Sequence, residues 1–109
     1  MNIEIYLYTT STGKVPFNDW ISNLDIHSRA IVRTRLDRIR LGNFGDAKIL
    51  VGCEGIWELR IDYGPGYRVY YGKKGKSLVI LLVGGSKGSQ SRDITKAKRY
   101  WLDYKGTNE

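Results

Sequence analysis

Residues 57–83 place the strongest constraint on the fold, because they read as three consecutive β-strands separated by tight turns. Apolar and polar side chains alternate over 57–63 and again over 67–71, which is the period of a strand with one buried face. The segment 77–83 is apolar after its first residue, as expected for a central strand covered on both faces. The sequences GPG and KKGK between these segments predict turns. Strands joined by such short turns are antiparallel neighbours, so the sequence predicts a meander.

Further elements are predicted on both sides of this meander. A strand over 3–8 is followed by a short amphipathic helix that starts near Pro16, and then by a longer helix over 25–41. The glycine-rich residues 42–55 predict a loop. A last helix follows the meander, which gives the order β-α-α-β-β-β-α. We therefore expect an α+β fold in a single domain over 1–109, with a small antiparallel-meander sheet, an N-terminal helical hairpin and a C-terminal helix.

The charge of the chain is unevenly distributed. Residues 1–59 carry seven basic and seven acidic side chains, whereas residues 60–105 carry eleven basic and three acidic ones. With Glu109 this gives the net charge of +7. A basic half of this kind is typical of proteins that bind a polyanion, either nucleic acid or an acidic protein, but it also serves solubility. Composition alone leaves both interpretations open.

Several classes of protein are disfavoured by the sequence. Cys53 is the single cysteine, so an internal disulfide or a thiolate metal cluster cannot form. The N-terminus lacks the pattern of a signal peptide, and the longest apolar run, 78–83, is too short to cross a bilayer. His27 stands alone, which favours a surface position over catalysis. No His, Cys, Asp or Glu residues have metal-ligand spacing, so we expect no metal, and we expect no cofactor. The single cysteine, the missing signal pattern and the short apolar run lead us to expect a cytoplasmic protein without membrane contact.

The first hairpin of the meander places two arginines on one face. If the strands pair symmetrically about the GPG turn, Arg60 opposes Tyr70 and Asp62 opposes Arg68, with Glu58 on the same face. Guanidinium groups bind phosphate through bidentate hydrogen bonds, so this face is a candidate phosphate site. The alternative is a solvated face that carries a cross-strand ion pair between Asp62 and Arg68. The alternation of side chains fits both.

A glycine-rich segment, GGSKGSQSRD over 84–93, connects the last strand to the last helix. The free backbone N–H groups of such a turn, and the helix N-terminus after it, can hold an anion, and Lys87 lies within the segment. The Gly-Lys-Ser/Thr ending of a nucleoside-triphosphate loop is absent. We therefore do not expect binding of a nucleoside triphosphate.

Three sequence motifs, in this order of helices and strands, resemble one known group of proteins: LGNFGD (41–46), ELRIDYGPGYRVYY (58–71) and LLVGGSKGSQSRDI (81–94). They are similar to the RelE/ParE toxin superfamily, and within it to the HigB-like branch of addiction-module killer proteins, also known as phage-derived Gp49-like toxins. The resemblance implies a cytoplasmic toxin of a type II toxin–antitoxin system with a small sheet flanked by helices. Many such toxins cleave mRNA in the ribosomal A site without a metal, by directing the 2′-hydroxyl at the adjacent phosphate.

The resemblance also implies roles for individual residues. Arg68 matches the strand arginine that holds the scissile phosphate, Arg60 matches a basic position of the active face, and Lys87 matches the basic residue after the last strand. The chain departs from the pattern because it lacks the tyrosine or histidines that relatives use near the last helix, and an acid stands where relatives often have lysine. The group that transfers protons is therefore open among Tyr70, Glu58 and Asp93. The remaining basic residues expected to bind RNA are Lys73, Lys74, Lys76 and Arg92.

On this basis the predicted function is that of a ribosome-dependent mRNA endoribonuclease that inhibits translation. Its partners would be the ribosome, mRNA and a cognate antitoxin, which we expect to be a small helix-turn-helix protein encoded adjacently, with acidic residues for the basic face. Two other classes remain open. One is a ParE-like poison of DNA gyrase, and the other is a basic binding module without catalysis.

Overall fold

The computed structural model describes residues 2–108, and within them it contains one mixed sheet and three α-helices. In chain order the elements are β1 (Glu4–Leu7), α1 (Pro16–Ser22), α2 (Ile26–Arg40), β2 (Ala47–Ile49), β3 (Ile56–Ile61), β4 (Tyr67–Lys74), β5 (Leu78–Ser86) and α3 (Gln90–Asn108), with a 3-10 turn at Lys87–Ser89. The predicted α+β class is confirmed. None of the helices within these residues has the length and hydropathy needed to cross a bilayer.

The segment predicted as a loop over 42–55 contains a strand that the sequence does not reveal. This strand, β2, pairs antiparallel with β3, so that Ala47 lies opposite Leu59 and Ile49 opposite Trp57. Three residues are too few for a period of two to be recognised among flanking glycines. The strand therefore depends on its pairing with β3 more than on its local sequence.

The strands lie in the order β1-β5-β4-β3-β2 across the sheet. β3, β4 and β5 form the predicted antiparallel meander. β1 lies beside β5 and runs parallel to it, with the α1–α2 hairpin in the connection between them. The C-terminal ends of β1 and β5 consequently lie at the same end of the sheet, close to the turn that leads into α3.

Helices cover both faces of the sheet. α1 and α2 pack against the face that carries Leu59 and Val69, whereas α3 packs against the opposite face, where Trp101 and Tyr70 belong to one core cluster. Residues of β3 and β4 alternate between the two faces, so Glu58 lies on the side of α3. The face that the sequence predicts to be polar is therefore covered by a helix over most of its length. The end near the β3–β4 turn is open.

The predicted pairing of the β3–β4 hairpin is wrong by two positions. Arg60 lies opposite Arg68 and Glu58 opposite Tyr70, while Asp62 lies beyond the end of β3 and pairs with no residue of β4. The reason is the turn, which is wider than a symmetric GPG turn because β3 already ends at Ile61. A shift of two positions leaves every side chain on its predicted face. The two arginines therefore stay together, and the proposed ion pair between Asp62 and Arg68 is not formed.

Candidate active site

Two turns at one end of the strands bring three predicted site residues together. Lys87 follows β5, and its backbone N–H donates a hydrogen bond to the carbonyl of Gly66 in the β3–β4 turn, with an N···O distance of 2.7 Å. This bond holds Lys87 beside the end of the hairpin. An open depression of about 380 Å³ results, and the three cations in its lining are Arg60, Arg68 and Lys87. Its other lining residues are Asp46, Asp62, Gly64, Pro65 and Gly66.

The guanidinium of Arg68 is half-buried in the wall of this depression. Its Nη1 donates a hydrogen bond to the Tyr67 carbonyl at 3.1 Å, whereas its buried Nε has no hydrogen-bond partner. Gly66 adopts a positive φ of 80°, a conformation that side chains rarely tolerate, next to Lys87 and the Arg68 guanidinium. The turn glycine thus allows the backbone to pass between two cations. The guanidinium of Arg68 thus keeps donor capacity that no group within residues 2–108 uses.

Arg60 is oriented from below by a buried acid. The Glu58 side chain is 0% exposed, and its Oε1 accepts a hydrogen bond from Arg60 Nε at 3.1 Å. Its Oε2 accepts a second one from Gln90 Nε2, in the first turn of α3, at 2.7 Å. Burial raises the pKa of Glu58, but the hydrogen bonds from Gln90 and Arg60, together with the nearby Tyr70 hydroxyl, outweigh that effect and lower the pKa overall. Glu58 is therefore an ionised carboxylate whose two oxygens are both engaged.

Tyr70 lies next to Glu58 and is also fully buried. Its hydroxyl is near the Glu58 carboxylate, but no contact meets the geometry of a regular hydrogen bond. Burial, followed by the negative charge of Glu58, raises the pKa of Tyr70 far above that of a free tyrosine. Neither Glu58 nor Tyr70 reaches the open depression, although the hairpin pattern places both on its face.

Asp93 lies one turn into α3 and is 5% exposed. Its Oδ2 accepts a short hydrogen bond of 2.5 Å from the Ser89 hydroxyl. The carboxylate occupies the space above Gly85, where any Cβ would collide with it. Asp93 does not line the depression with the three cations. It lies instead in the wall of a larger groove on the other side of the Lys87–Ser89 turn.

The basic residues predicted to bind RNA do not lie together. Lys73, Lys74 and Lys76 are at the far end of β4 and in the following turn, roughly 17 Å or more from Arg68 at about 3.3 Å per residue. The ammonium of Lys73 lies over two aromatic rings, 4.1 Å from the Phe44 centroid and 4.2 Å from the Trp57 centroid. Lys74 contacts the ring of Tyr104. Arg92, by contrast, is exposed in the first turn of α3 and lines the larger groove.

The residues set aside at the sequence level lie outside the site. His27 is exposed on α2, and Cys53 is buried in the cluster beneath α3. Within residues 2–108, no three His, Cys, Asp or Glu side chains lie close enough together to hold a metal ion. Gln90 and Ser89, which bind the two buried acids of the site, are absent from the sequence prediction. No local pattern reveals Gln90, since it contacts a residue 32 positions earlier in the chain, whereas Ser89 lies only four positions before Asp93.

Comparison with known proteins gives concordant matches. Residues 19–101 match the family described as Phage derived protein Gp49-like (DUF891). An uncharacterised protein of Haemophilus influenzae is 45% identical over 97 residues, which cover 88% of this chain and 92% of that protein. A solved structure of the E. coli toxin RelE, an arginine-to-alanine mutant in the free state, has a TM-score of 0.64 at 14% identity. That similarity covers 90% of this chain and 95% of the RelE chain.

Fold and site together define the class of protein. A mixed sheet with a helical hairpin on one face and a C-terminal helix on the other is the RelE fold, and this chain adopts it over nearly its whole length. The family match likewise spans most of the chain. The chain belongs to the Gp49-like family, within the RelE/ParE toxin superfamily.

Proposed function

We propose that this protein is the toxin of a type II toxin–antitoxin system and that it cleaves mRNA on the ribosome without a metal. The observation that carries the proposal is the convergence of Arg60, Arg68 and Lys87 on one open depression. The three cations come from different segments of the chain, and a backbone hydrogen bond between two turns holds the edge of the site in place. Such an arrangement is suited to a phosphate on which negative charge builds up.

The proposed reaction is an internal transesterification of RNA. The 2′-oxygen attacks the adjacent phosphorus, the bond from phosphorus to the 5′-oxygen breaks, and a cyclic phosphate and a 5′-hydroxyl are formed. The 2′-hydroxyl loses its proton, and the leaving oxygen gains one. Arg68 and Lys87 stabilise the charge on the phosphate oxygens, and Arg60 positions the backbone. Loss of one such donor typically lowers the rate about 10²–10³-fold.

The candidates for proton transfer differ in access to the substrate. Glu58 has both oxygens hydrogen-bonded and no exposed surface, so its role in the proposal is to position Arg60. Tyr70 is buried and holds its proton strongly. Asp93 is hydrogen-bonded to Ser89 and lies outside the depression, but it lines the adjoining open groove, so we propose it as the one of the three that RNA can approach as acid or base.

The decisive experiment compares the wild type with Arg68→Ala after brief induction in bacterial cells, with mapping of mRNA 5′ ends in the presence and absence of translation. The matched control is Arg33→Ala, which removes an exposed arginine from α2. We expect growth arrest and mRNA cleavage for the wild type and the control, and cleavage reduced about 10²–10³-fold for Arg68→Ala. Equal arrest by all three proteins with intact mRNA would refute the proposal. Induction of DNA-damage signalling with intact mRNA would point to a gyrase poison, and unharmed cells to a binding module without catalysis.

The proposal includes a neutralising partner and a cytoplasmic location. An antitoxin that inhibits by occupying the depression should present acidic side chains to Arg60, Arg68 and Lys87. Co-expression with the adjacent gene product should restore growth and allow the complex to be purified. Salt should weaken the complex, because the charges that form this contact lie near the surface.

A further inference from the structure

A groove larger than the cationic depression lies at the C-terminal ends of β1 and β5, between α1 and α3. Its volume is about 610 Å³, and its floor is formed by Gly84 and Gly85 at the end of β5. The loop between β1 and α1 forms one rim, and the first turns of α3 form the other. The side chains that could contact a ligand are Lys14, Trp20, Arg92, Lys96 and Tyr100.

The groove is positively charged. Lys14 and Arg92 are exposed, Lys96 is half-buried, and none of the three forms an ion pair within residues 2–108. The groove also contains two acids. Asp93 is buried and hydrogen-bonded to Ser89, and Asp19 is exposed. Cations are therefore in excess at the open surface of the groove, and they are free to bind phosphate.

Two half-buried aromatic side chains also border the groove. Trp20 is held from below by Tyr67 in an edge-to-face contact, with ring centroids 5.9 Å apart. Tyr100 stacks on Tyr8 with ring centroids 5.0 Å apart. Both rings are thus fixed by packing and retain an accessible part. Aromatic side chains between cations are the usual platform for bases of single-stranded nucleic acid.

The groove and the cationic depression meet at the same short turn. Ser86 and Ser89 line the groove, whereas Lys87, between them, lines the depression. Likewise Tyr67 lines the groove and its neighbour Arg68 lines the depression. A single strand that leaves the depression across the turn would enter the groove directly.

We infer that the groove between α1 and α3 binds the single-stranded RNA that flanks the cleaved bond, with Lys14, Arg92 and Lys96 on its phosphates and Trp20 and Tyr100 beside its bases. The inference rests on the proposed function, which supplies the scissile phosphate in the neighbouring depression. An acidic protein segment would also be attracted by the three cations. RNA fits better, because it also uses the two aromatic rings.

The test is direct binding of a short 2′-O-methyl RNA, which cannot undergo the cleavage, measured by fluorescence anisotropy at several salt concentrations. The variant is Lys14→Ala/Lys96→Ala. The control, Arg33→Ala/Lys98→Ala, removes the same charge from exposed positions of α2 and α3 outside the groove. We expect the variant to bind about tenfold more weakly and to lose about 1.4 from the salt slope, at about 0.7 for each phosphate contact.

The outcomes separate this inference from the proposed function. If the variant and the control bind equally well while induced cells still cleave mRNA, the groove assignment is wrong and the nuclease proposal stands. If the wild type cleaves no mRNA in cells but the variant still binds RNA more weakly than the control, the groove binds RNA and the nuclease proposal is wrong. If Lys14→Ala/Lys96→Ala weakens binding of the antitoxin and leaves RNA binding unchanged, the groove belongs to the antitoxin and the inference fails.

Discussion

Replacement of Glu58 by glutamine tests whether a buried acid orients the active face. Glu58→Gln keeps the size of the side chain but removes its charge and replaces one acceptor oxygen by an NH₂ group. Arg60 Nε and Gln90 Nε2 both donate to Glu58 in the wild type. In the variant the remaining oxygen can accept from Arg60, and the new NH₂ group then faces Gln90, whose amide must turn over to present its oxygen. The substitution therefore removes the charge from both hydrogen bonds and reverses the direction of the one to Gln90.

The magnitude follows from the burial of the partners. A hydrogen bond to a charged group contributes about 1.5–3 kcal/mol to the free energy of unfolding. The 2.7 Å bond from Gln90 links α3 to the sheet at a carboxylate with no exposed surface, so a value in this range applies to it. The Arg60 side chain is 36% exposed, and water can replace part of its bond to Glu58. We expect a loss of about 2 kcal/mol in total, which lowers the Tm by about 8 °C for a domain of this size.

The pH dependence of stability provides an independent check. The pKa of Glu58 in the folded protein lies below its ordinary value of 4.5. A depressed carboxyl pKa contributes stability above the unfolded pKa, and this contribution is lost as the pH falls through the folded pKa. The difference in unfolding free energy between the wild type and Glu58→Gln should therefore be largest near neutral pH. It should shrink in acid below about pH 4.5.

The assay is denaturant unfolding at a series of pH values, combined with mRNA cleavage in cells. Glu54→Gln is the matched control, since the Glu54 side chain is 81% exposed and only weakly paired with Lys105 at 3.8 Å. The control should change the unfolding free energy by less than about 0.5 kcal/mol. Glu58→Gln should also reduce cleavage, because Arg60 loses its fixed orientation. Wild-type stability and cleavage in Glu58→Gln would refute the positioning role.

Further predictions concern three other parts of the molecule. Lys73→Met removes the ammonium from its two aromatic rings and should cost about 1 kcal/mol in denaturant unfolding, with mRNA cleavage unchanged. A stable variant that no longer cleaves would support Lys73 as an RNA contact. Gly85→Ala places a methyl group against the buried carboxylate above it and should cost about 1–3 kcal/mol, whereas Gly88→Ala, with its nearest atom at 3.9 Å, should be tolerated. Burial and the hydrogen bond to Asp103 raise the pKa of Tyr8 to about 12, so its contribution to stability is lost as the pH rises from about 10 to about 12. That alkaline loss should be smaller in Tyr8→Phe.

The meander could be predicted from the sequence because its signals are local. Alternation over 57–63 and 67–71, and the apolar run after Ser77, identify β3, β4 and β5 without knowledge of any distant contact. The turn between β3 and β4 was harder to predict from the sequence. Its hydrogen bonds, from Tyr63 to Ile61 and from Gly66 to Tyr63, end the strand earlier than the alternation indicates. The strand β2 was missed for a related reason, since a short edge strand is formed by its neighbour.

The site was predictable as a set of cations but not as a working geometry. The predicted face carries Arg60 and Arg68 because a register shift of two positions preserves the face. Which residues of that face are open depends on where α3 lies, and side-chain alternation contains no information about this. Glu58 and Tyr70 are therefore buried although the pattern places them beside the arginines. The basic turn after β4 was grouped with the site by charge alone, and the strand length separates the two.

The acid at position 58 changes how such a site can work. The resemblance implies that relatives often have lysine there, but a lysine in this buried position would place its charge against the donors of Arg60 and Gln90 without an acceptor. With Glu58 the buried position supplies the acceptor, so it orients one cation of the depression and fixes the start of α3. Within the depression, the positive charge available to the cleaved phosphate is then that of Arg60, Arg68 and Lys87. α3 also carries Asp93 to the edge of the neighbouring groove. Loss of the contact between Glu58 and Gln90 should therefore disturb both the depression and the groove. Loss of Arg68 should disturb only cleavage in the depression.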